Sequence, residues 1–234
     1  MRNTQWPLLL GFCIALGWAT TASACGGSSE KCCPPGWDFQ YLTTGGCELE
    51  VSRAVAHSGS SSVLVKDKKD HEDPGCAAVL AQHVRADAYR GKRVRVSAFL
   101  RTEGFRGEVA LVMSVRSEQR QLGFSMMERR VTSAATDWGE YSVVLEIPAD
   151  SLLFTFNINV FGNGRVWADS ITVDVVPDST LIPPGNGVRQ GAPPFAPNQS
   201  HEVRDQYANA PAAPINLGFE DPCPEDEQPR RKGQ

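Results

Sequence analysis

Residues 93–101 read RVRVSAFLR, and their side chains alternate strictly along the chain. One face of this segment is apolar and carries Val94, Val96, Ala98 and Leu100. The other face carries Arg93, Arg95, Ser97, Phe99 and Arg101. Because successive side chains of an extended chain point to opposite sides, this period of two residues predicts a β-strand with one face in a core.

Further segments repeat the pattern of short, alternating or apolar runs. They are residues 61–66, 109–116, 141–147, 154–161 and 165–176. Gly, Pro, Asp or Asn interrupt the chain between most of them. Many short strands separated by turn residues favour an all-β fold, namely an antiparallel β-sandwich or barrel. We expect it to be one domain, residues 36–177.

Residues 1–24 are typical of a signal peptide. Arg2 precedes an apolar run at residues 8–18, and Ala22-Ser23-Ala24 is a small-residue cleavage site. The run is too short to cross a bilayer as a helix. The sequence therefore predicts an exported protein, either secreted, periplasmic or held at the bacterial envelope.

Cys25 directly follows the predicted cleavage site. Ala22-Ser23-Ala24-Cys25 is similar to a bacterial lipobox, although Ala22 stands where such boxes usually carry Leu. Residues 25–35 would then tether a lipid-anchored domain. The alternative is ordinary cleavage before a disulfide cysteine. The only membrane contact that the sequence predicts is therefore a possible lipid anchor at Cys25.

Composition and cysteine count narrow the function classes. The formal net charge of −4 gives no electrostatic reason to expect a nucleic-acid partner. Six of the seven cysteines follow the signal peptide, and an oxidising compartment favours disulfides. Their spacing and the scattered histidines do not favour a zinc site.

The C-terminal quarter differs in composition from the predicted strands. Eleven of the 16 prolines lie between Pro177 and Pro229. Residues 178–214 are therefore predicted to be an unfolded or extended linker. Residues 215–234 contain a short apolar segment, INLGFE at 215–220, followed by Cys223.

Six motifs in order resemble bacterial jelly-roll domains, similar to carbohydrate-binding modules of the galactose-binding-like fold. They are Gly36-Trp37, His57-Ser58-Gly59, Leu80-Ala81-Gln82, residues 89–94 (YRGKRV), residues 136–141 (TDWGEY) and residues 162–169 (GNGRVWAD). The resemblance covers about residues 36–177. It implies a jelly-roll β-sandwich and a glycan ligand. Such domains occur alone and fused to regulators, peptidases and glycoside hydrolases.

The chain departs from the resembled family at positions near the open sheet face. Relatives carry Trp and Arg at positions matching Val112 and Ser114, and an Asp-Asn pair matching Ser125-Met126. Either the ligand differs or the site has been lost.

Sugar recognition needs a flat aromatic face together with amide, carboxylate or guanidinium groups. Arg95, Phe99 and Arg101 offer these groups on one predicted strand, and Asn157, Asn159 and Phe161 offer them on another. If both polar faces belong to one sheet, the six residues line a single groove. The alternative is an ordinary solvated sheet face. Trp138 and Trp167 are expected to pack in the core, since Trp167 shares its parity with Ile171.

The family resemblance also implies a structural calcium ion. In similar modules an acidic residue at the start of the last strand and a Glu from the first strand help to hold it. The matching residues here would be Asp169 and Glu220. The alternative is a hydrogen-bonded loop without metal.

Relatives begin with a strand like Asn-Leu-x-Phe-Glu before Pro-x-Gly-Trp. This chain has Pro34-Pro35-Gly36-Trp37, but the strand motif occurs only at residues 216–220. We therefore expect a circular permutation, with residues 215–220 filling the vacant strand position and Cys223 bridging to Cys32 or Cys33. The remaining cysteines, Cys47 and Cys76, would bridge neighbouring strands. The alternatives are a truncated second module or a strand donated to another molecule.

These observations predict a non-catalytic binding module whose partner is a glycan or cell-envelope polysaccharide. The second hypothesis is a protein-interaction or structural domain that contacts an envelope protein. An uncharacterised hydrolase is third, since the sequence carries no nucleophile motif and no marked acid pair.

Overall fold

The computed structural model describes residues 33–42, 46–67, 75–127, 131–132, 135–188 and 193–221. Within these ranges the chain is mostly extended. Its elements are β1 (Asp38–Tyr41), β2 (Cys47–Ser52), β3 (Ser62–Asp67), β4 (Cys76–Arg85), β5 (Arg93–Arg116), β6 (Gln121–Met126), β7 (Ala135–Glu146), β8 (Leu153–Val176), β9 (Gly187–Val188) and α1 (Pro197–Asn209).

Two long strands, β5 and β8, organise the fold. They pair antiparallel from Arg93 opposite Val176 to Arg116 opposite Leu153, with a register shift between Glu103 and Arg106. Glycines lie at this shift, where the two backbones approach closely. A Cβ on Gly107 would lie 2.0 Å from the carbonyl oxygen of Phe161, so only glycine fits there.

The shift divides β5 and β8 into halves that belong to two sheets. In the first sheet the order is β2, β3, the second half of β8, the first half of β5, and β7. In the second sheet it is β1, β4, the first half of β8, the second half of β5, β6 and β9. All of these pairings are antiparallel.

One hydrophobic core lies between the two sheets. Val94, Val96, Ala98 and Leu100 of β5 enter it from the first sheet, and Val109, Leu111, Met113 and Val115 enter it from the second. The alternation seen in the sequence therefore continues across both halves of β5. The all-β, antiparallel jelly-roll sandwich predicted from the sequence is confirmed.

The disulfide between Cys47 and Cys76 joins the two sheets. Cys47 begins β2 in the first sheet and Cys76 begins β4 in the second, with their Cα atoms 4.8 Å apart. This is the predicted pairing. Closing a chain segment of 29 residues reduces the entropy of the unfolded chain, which stabilises the fold by about 3–4 kcal/mol in the chain-entropy model.

The prediction of an extended linker at residues 178–214 is wrong, because this segment contains β9 and α1. Proline composition predicts extended chain, but the stretch between Pro197 and Pro211 is free of proline. Pro197 occupies the first turn of α1, where a missing N–H costs nothing. The side chain of Gln199 accepts a hydrogen bond from the N–H of Ala196 at 3.0 Å.

Residues 215–220 pack into the sandwich of the same chain, as a turn and not as the predicted strand. Phe219 is buried in the core 5.1 Å from the ring of Trp37. The amide of Gln82 bonds both the N–H and the carbonyl of Ile215 at 2.9 Å. Positive φ angles at Asn216 (48°) and Phe219 (57°) are incompatible with a β-ladder.

Several N- and C-terminal predictions lie outside the described residues. They concern the signal peptide, lipidation of Cys25, and the pairing of Cys223 with Cys32 or Cys33. Cys33 itself is disulfide-bonded. In the described part of the chain, no helix combines the length and apolar character needed to span a membrane.

Candidate functional site

The six predicted ligand-binding residues fall on opposite sides of the sandwich. Arg95, Phe99 and Arg101 lie on the outer face of the first sheet, whereas Asn157, Asn159 and Phe161 lie on the outer face of the second. The prediction that all six line one groove is therefore wrong. Alternation correctly gave their orientation, but it could not show that β5 and β8 pass from one sheet into the other.

The outer face of the second sheet, which we call the amide face, is centred on Asn157 and Asn159 of β8. Their cross-strand neighbours on β4 and β5 are small. Asn157 lies between Ala81 and Val112, Asn159 lies between Val79 and Ala110, and Phe161 lies between Ala77 and Glu108. The two amides therefore have only small neighbours, of which Ala81, Ala110 and Val112 are at most 5% exposed, whereas Phe161 has the longer Glu108 beside it.

Longer side chains flank these residues on the two outer strands. On the β1 side the register places Asp38, Gln40 and Leu42 on the same face, and on the β6 side it places Phe124 and Met126 there. The amide face is thus a trough that runs along β8. Val112 lies on this face, but Ser125 of the Ser125-Met126 pair is buried on the core side, opposite Met113.

The two asparagines are joined by a hydrogen bond. Asn157 Nδ2 donates to Asn159 Oδ1 at 2.5 Å, and both side chains are partly exposed. This bond holds the amides in a fixed orientation. It leaves Asn157 Oδ1 as an acceptor and Asn159 Nδ2 as a donor for another molecule.

Helix α1 covers one end of the trough. Arg85, Leu153 and Arg116 lie side by side on β4, β8 and β5 at this end. Val203 of α1 and Ala210, which follows the helix, bury Leu153 completely. The same helix contacts both arginines, since Arg116 Nη2 donates to Gln206 Oε1 at 2.7 Å and Arg85 lies over the ring of Tyr207.

The charges at this covered end are partly desolvated. Burial, and then the charge of Arg116, lower the pKa of His83 to about 3, so His83 is neutral at pH 7. Its Nδ1 lies 2.8 Å from Thr155 Oγ1. Burial lowers the pKa of Arg116, although nearby Glu202 opposes this shift. Burial also raises the pKa of Glu202.

The outer face of the first sheet, which we call the tryptophan face, is more fully occupied by its own side chains. The guanidinium of Arg101 lies 5.3 Å from the centre of the Trp167 ring. The ring of His57 stacks on Phe99 at 3.6 Å and lies 5.6 Å from Trp138. Several aromatic and cationic groups of this face therefore contact one another, although the buried indole N–H of Trp167 has no hydrogen-bond partner among the described residues.

Trp167 lies on this outer face and not in the core as predicted. Its cross-strand neighbours are Leu64 and Arg101, and it is 4% exposed. Ser170 has a positive φ of 50°, and the pairing with β5 shifts between Ser97 and Phe99. This irregularity breaks the parity that related Trp167 to Ile171. Trp37, in contrast, is a core residue packed on Phe156 and Phe219.

Asp169 and Glu220, the predicted calcium ligands, both bind the loop at residues 57–61. Asp169 Oδ2 accepts the N–H groups of His57 (2.7 Å) and Ser58 (3.0 Å). Glu220 accepts bonds from the N–H and hydroxyl groups of both Ser60 and Ser61. The bonds from Ser60, followed by those from Ser61, lower the pKa of Glu220 to about 2.

This arrangement does not fit calcium. A calcium ion needs six to eight oxygen ligands, whereas the groups that face these two carboxylates are hydrogen-bond donors. The described residues also hold no cluster of three or more His, Cys, Asp or Glu side chains placed to bind a metal. In this chain the carboxylates fix the 57–61 loop through hydrogen bonds.

Sequence reasoning missed the residues at the covered end of the trough. Alternation places Arg116 on the same face as Val112 and Ser114, so Arg116 could have been found. His83 and Gln206 had no such signal, because the first lies on a strand without clear polar alternation. The second lies in a segment that composition assigned to a linker.

The chain is similar in sequence to part of a curated bacterial protein. No family model matches the chain. An uncharacterized HTH-type transcriptional regulator of Bacillus subtilis, YbfP, is 31% identical over 175 residues, which make up 74% of this chain and 52% of that protein. The chain thus spans about half the length of this curated relative.

Solved structures similar to the chain include several such modules. A family 22 carbohydrate-binding module of Clostridium thermocellum Xyn10B has a TM-score of 0.42 and 16% identity, covering 64% of this chain and 89% of that one. The xylan-binding CBM22-1 domain of Paenibacillus barcinonensis Xyn10C gives 0.44 and 12%, over 62% and 88%. TmCBM61, solved with β-1,4-galactotriose, gives 0.42 and 13%, over 61% and 90%. Carbohydrate-binding modules, which the sequence motifs resemble, are thus among the solved structures similar to this chain.

Proposed function

We propose that this protein is an exported, non-catalytic module that binds a glycan on the amide face. The observation that carries the proposal is the pair Asn157 and Asn159. The two amides are fixed to each other and raised above small neighbours, and they present one acceptor and one donor.

The chemistry of the trough suits a sugar. Hydroxyl groups of a sugar both donate and accept hydrogen bonds, so they match a fixed acceptor and donor. Phe161 offers a partly exposed ring for the C–H surface of a pyranose. The residues beside the amides, Ala81, Ala110 and Val112, have shorter side chains than the two asparagines, and each is at most 5% exposed.

The likeness to part of a transcriptional regulator is in keeping with a binding role without catalysis. A hydrolase would instead need a positioned acid and a base or nucleophile. The structure does pair one acid with a base, since Asp38 Oδ2 lies 3.6 Å from His83 Nε2. That pair lies beside the covered end of the trough, and the low pKa of His83 makes it a weak base.

A polysaccharide panel tests the proposal. The full-length protein is incubated with immobilised linear and branched polysaccharides, including xylan and β-1,4-galactan, and retained samples are measured by calorimetry. We expect saturable binding to at least one glycan without release of new reducing ends. Release of reducing ends would show a hydrolase. No retention, together with stoichiometric co-purification of an envelope protein, would favour the protein-interaction hypothesis.

Export and anchoring need a separate measurement. Mass spectrometry of the mature N-terminus tests cleavage after Ala24 and lipidation of Cys25. A diacylglycerol mass on Cys25 would place the module on the envelope. An unmodified or disulfide-bonded Cys25 would make it periplasmic or secreted.

A further inference from the structure

From the position of helix α1, we infer that the trough is closed at one end and binds the end of a glycan chain, not an internal segment. This inference rests on the proposed function and narrows its ligand class to chain termini. The inference follows from the position of the helix over one end of the second sheet.

The first step is the direction of the trough. Its floor follows β4 and β5 on either side of β8, and its walls are the outer strands β1 and β6. A linear sugar chain seated between these walls lies along β8. From Asn157 to Phe161 the floor is about 13 Å long, at about 3.3 Å per residue. That length suits a short oligosaccharide.

The second step is the closed end. Helix α1 crosses β4, β8 and β5 at the row of Arg85, Leu153 and Arg116, two residues beyond Thr155. Leu153 has no exposed surface because Val203 and Ala210 pack on it. A sugar chain moving along β8 past Asn157 therefore meets the helix.

The third step is the opposite end, near Phe161. Leu42, on the same row, remains 49% exposed, and Phe161 is partly exposed. The exposed side chain of Leu42 marks this end as the direction in which a bound chain would leave the trough.

The closed end also carries groups that can contact a terminal sugar. Arg116 is partly exposed, and Glu202 lies near enough to act on its charge. One of its nitrogens is used by Gln206 of the helix, which fixes the guanidinium. Arg116 and the helix together form the wall against which the last sugar would rest.

The number of protein molecules bound per glycan chain tests this inference. The probe is the linear polysaccharide retained in the panel, separated into fractions of increasing chain length and titrated with the full-length protein by calorimetry. A chain-end binder is expected to hold a constant number of molecules per chain in every fraction. A number that rises in proportion to chain length would overturn the inference while leaving the proposed function intact. No binding to any glycan would overturn both.

A second experiment opens the end of the trough that α1 closes. Val203→Asp places a charge against Leu153 and should detach the helix, so that the number bound per chain rises with length. Ala208→Asp adds the same charge at an exposed position of α1 and should behave as wild type. If Val203→Asp keeps the sandwich folded by circular dichroism and still binds a constant number per chain, the helix does not close the trough. If it fails to fold, the wild-type titration alone decides.

Discussion

The tryptophan face and the amide face are built from the same two strands, yet their side chains are used differently. On the tryptophan face Arg101 lies over Trp167 and His57 stacks on Phe99. On the amide face Asn157 and Asn159 bond each other and keep one acceptor and one donor. The comparison teaches that Arg and aromatic residues in a pattern typical of a binding site can instead contact one another at the protein surface.

The largest expected effect contrasts two leucines, one on each face. Leu153 is fully buried under α1, whereas Leu64 packs beside Trp167 at the surface of the sheet. We expect Leu153→Ala to lower the free energy of unfolding by about 3–5 kcal/mol, because the helix and the sheet enclose the resulting cavity. Leu64→Ala should cost about 2 kcal/mol, because solvent and neighbouring side chains can fill the space. Urea denaturation of both variants measures the difference; equal losses would mean that α1 is not packed on Leu153.

The next effect concerns ligand binding. Asn157→Ala with Asn159→Ala should weaken binding of the retained glycan at least about tenfold, which is roughly 1.4 kcal/mol, since two fixed hydrogen bonds are lost. The matched pair on the other face, Arg95→Ala with Arg101→Ala, should leave the affinity unchanged. Calorimetry with thermal unfolding as a folding control separates the cases. The reverse result would move the site to the tryptophan face.

A smaller effect concerns the pH dependence of the free energy of unfolding, which depends on His83. The unfolded chain protonates His83 near pH 6.5, whereas the folded chain does so only near pH 3. Because the unfolded state binds more protons in this window, the free energy of unfolding falls as the pH is lowered from about 6.5 towards 3. We expect a loss on the order of 1–2 kcal/mol between pH 7 and 5. Glu220 adds a further loss only below about pH 4.5, as its carboxylate is protonated towards pH 2.

The variant His83→Gln isolates this contribution. It keeps a polar side chain beside Thr155 but does not titrate, so its stability should change less between pH 7 and 5 than that of the wild type. Denaturation curves at both pH values provide the measurement. A wild-type stability that is flat over this range would contradict a buried, neutral His83.

The smallest effect is expected on exposed ion pairs. Arg165 on β8 pairs with Glu103 on β5 at 2.6 Å, and both side chains are about half exposed. Arg165→Ala should change the free energy of unfolding by less than about 0.5 kcal/mol, since exposed pairs gain little over their interactions with water. Thermal unfolding at low and high salt checks this; a loss above 1 kcal/mol would show that the pair supports the glycine-rich crossing of β5 and β8.

Much of the fold was predictable because alternation reports directly on burial. The apolar positions of residues 93–101 and 109–116 all enter the core, and Cys47 bonds Cys76. Two predictions failed for local reasons. A positive φ at Ser170 moved Trp167 to the outer face, and a proline-free stretch within a proline-rich segment formed α1. Neither a single irregular residue nor a docked helix leaves a periodic signal in the sequence.

The candidate site was only half predictable. Asn157, Asn159 and Phe161 were found from their shared parity on β8, and they do share one face. Arg95, Phe99 and Arg101 share a parity as well, but on the other sheet. Parity gives the side of a strand on which a residue lies, whereas the assignment of strands to sheets depends on long-range pairing.

By itself, the sequence determined the all-β class and the core positions of residues 93–101 and 109–116, because local period and residue type encode burial. It also singled out residues 215–220, although they form a turn and not the predicted strand. Only the tertiary structure decided that β5 and β8 pass from one sheet to the other where Gly107 meets Phe161. That passage follows from close contact between two backbones about 50 residues apart, which no local pattern records. It puts Asn159 and Arg101 on opposite sides of the molecule, and it leaves one end of the amide face for helix α1 to cover.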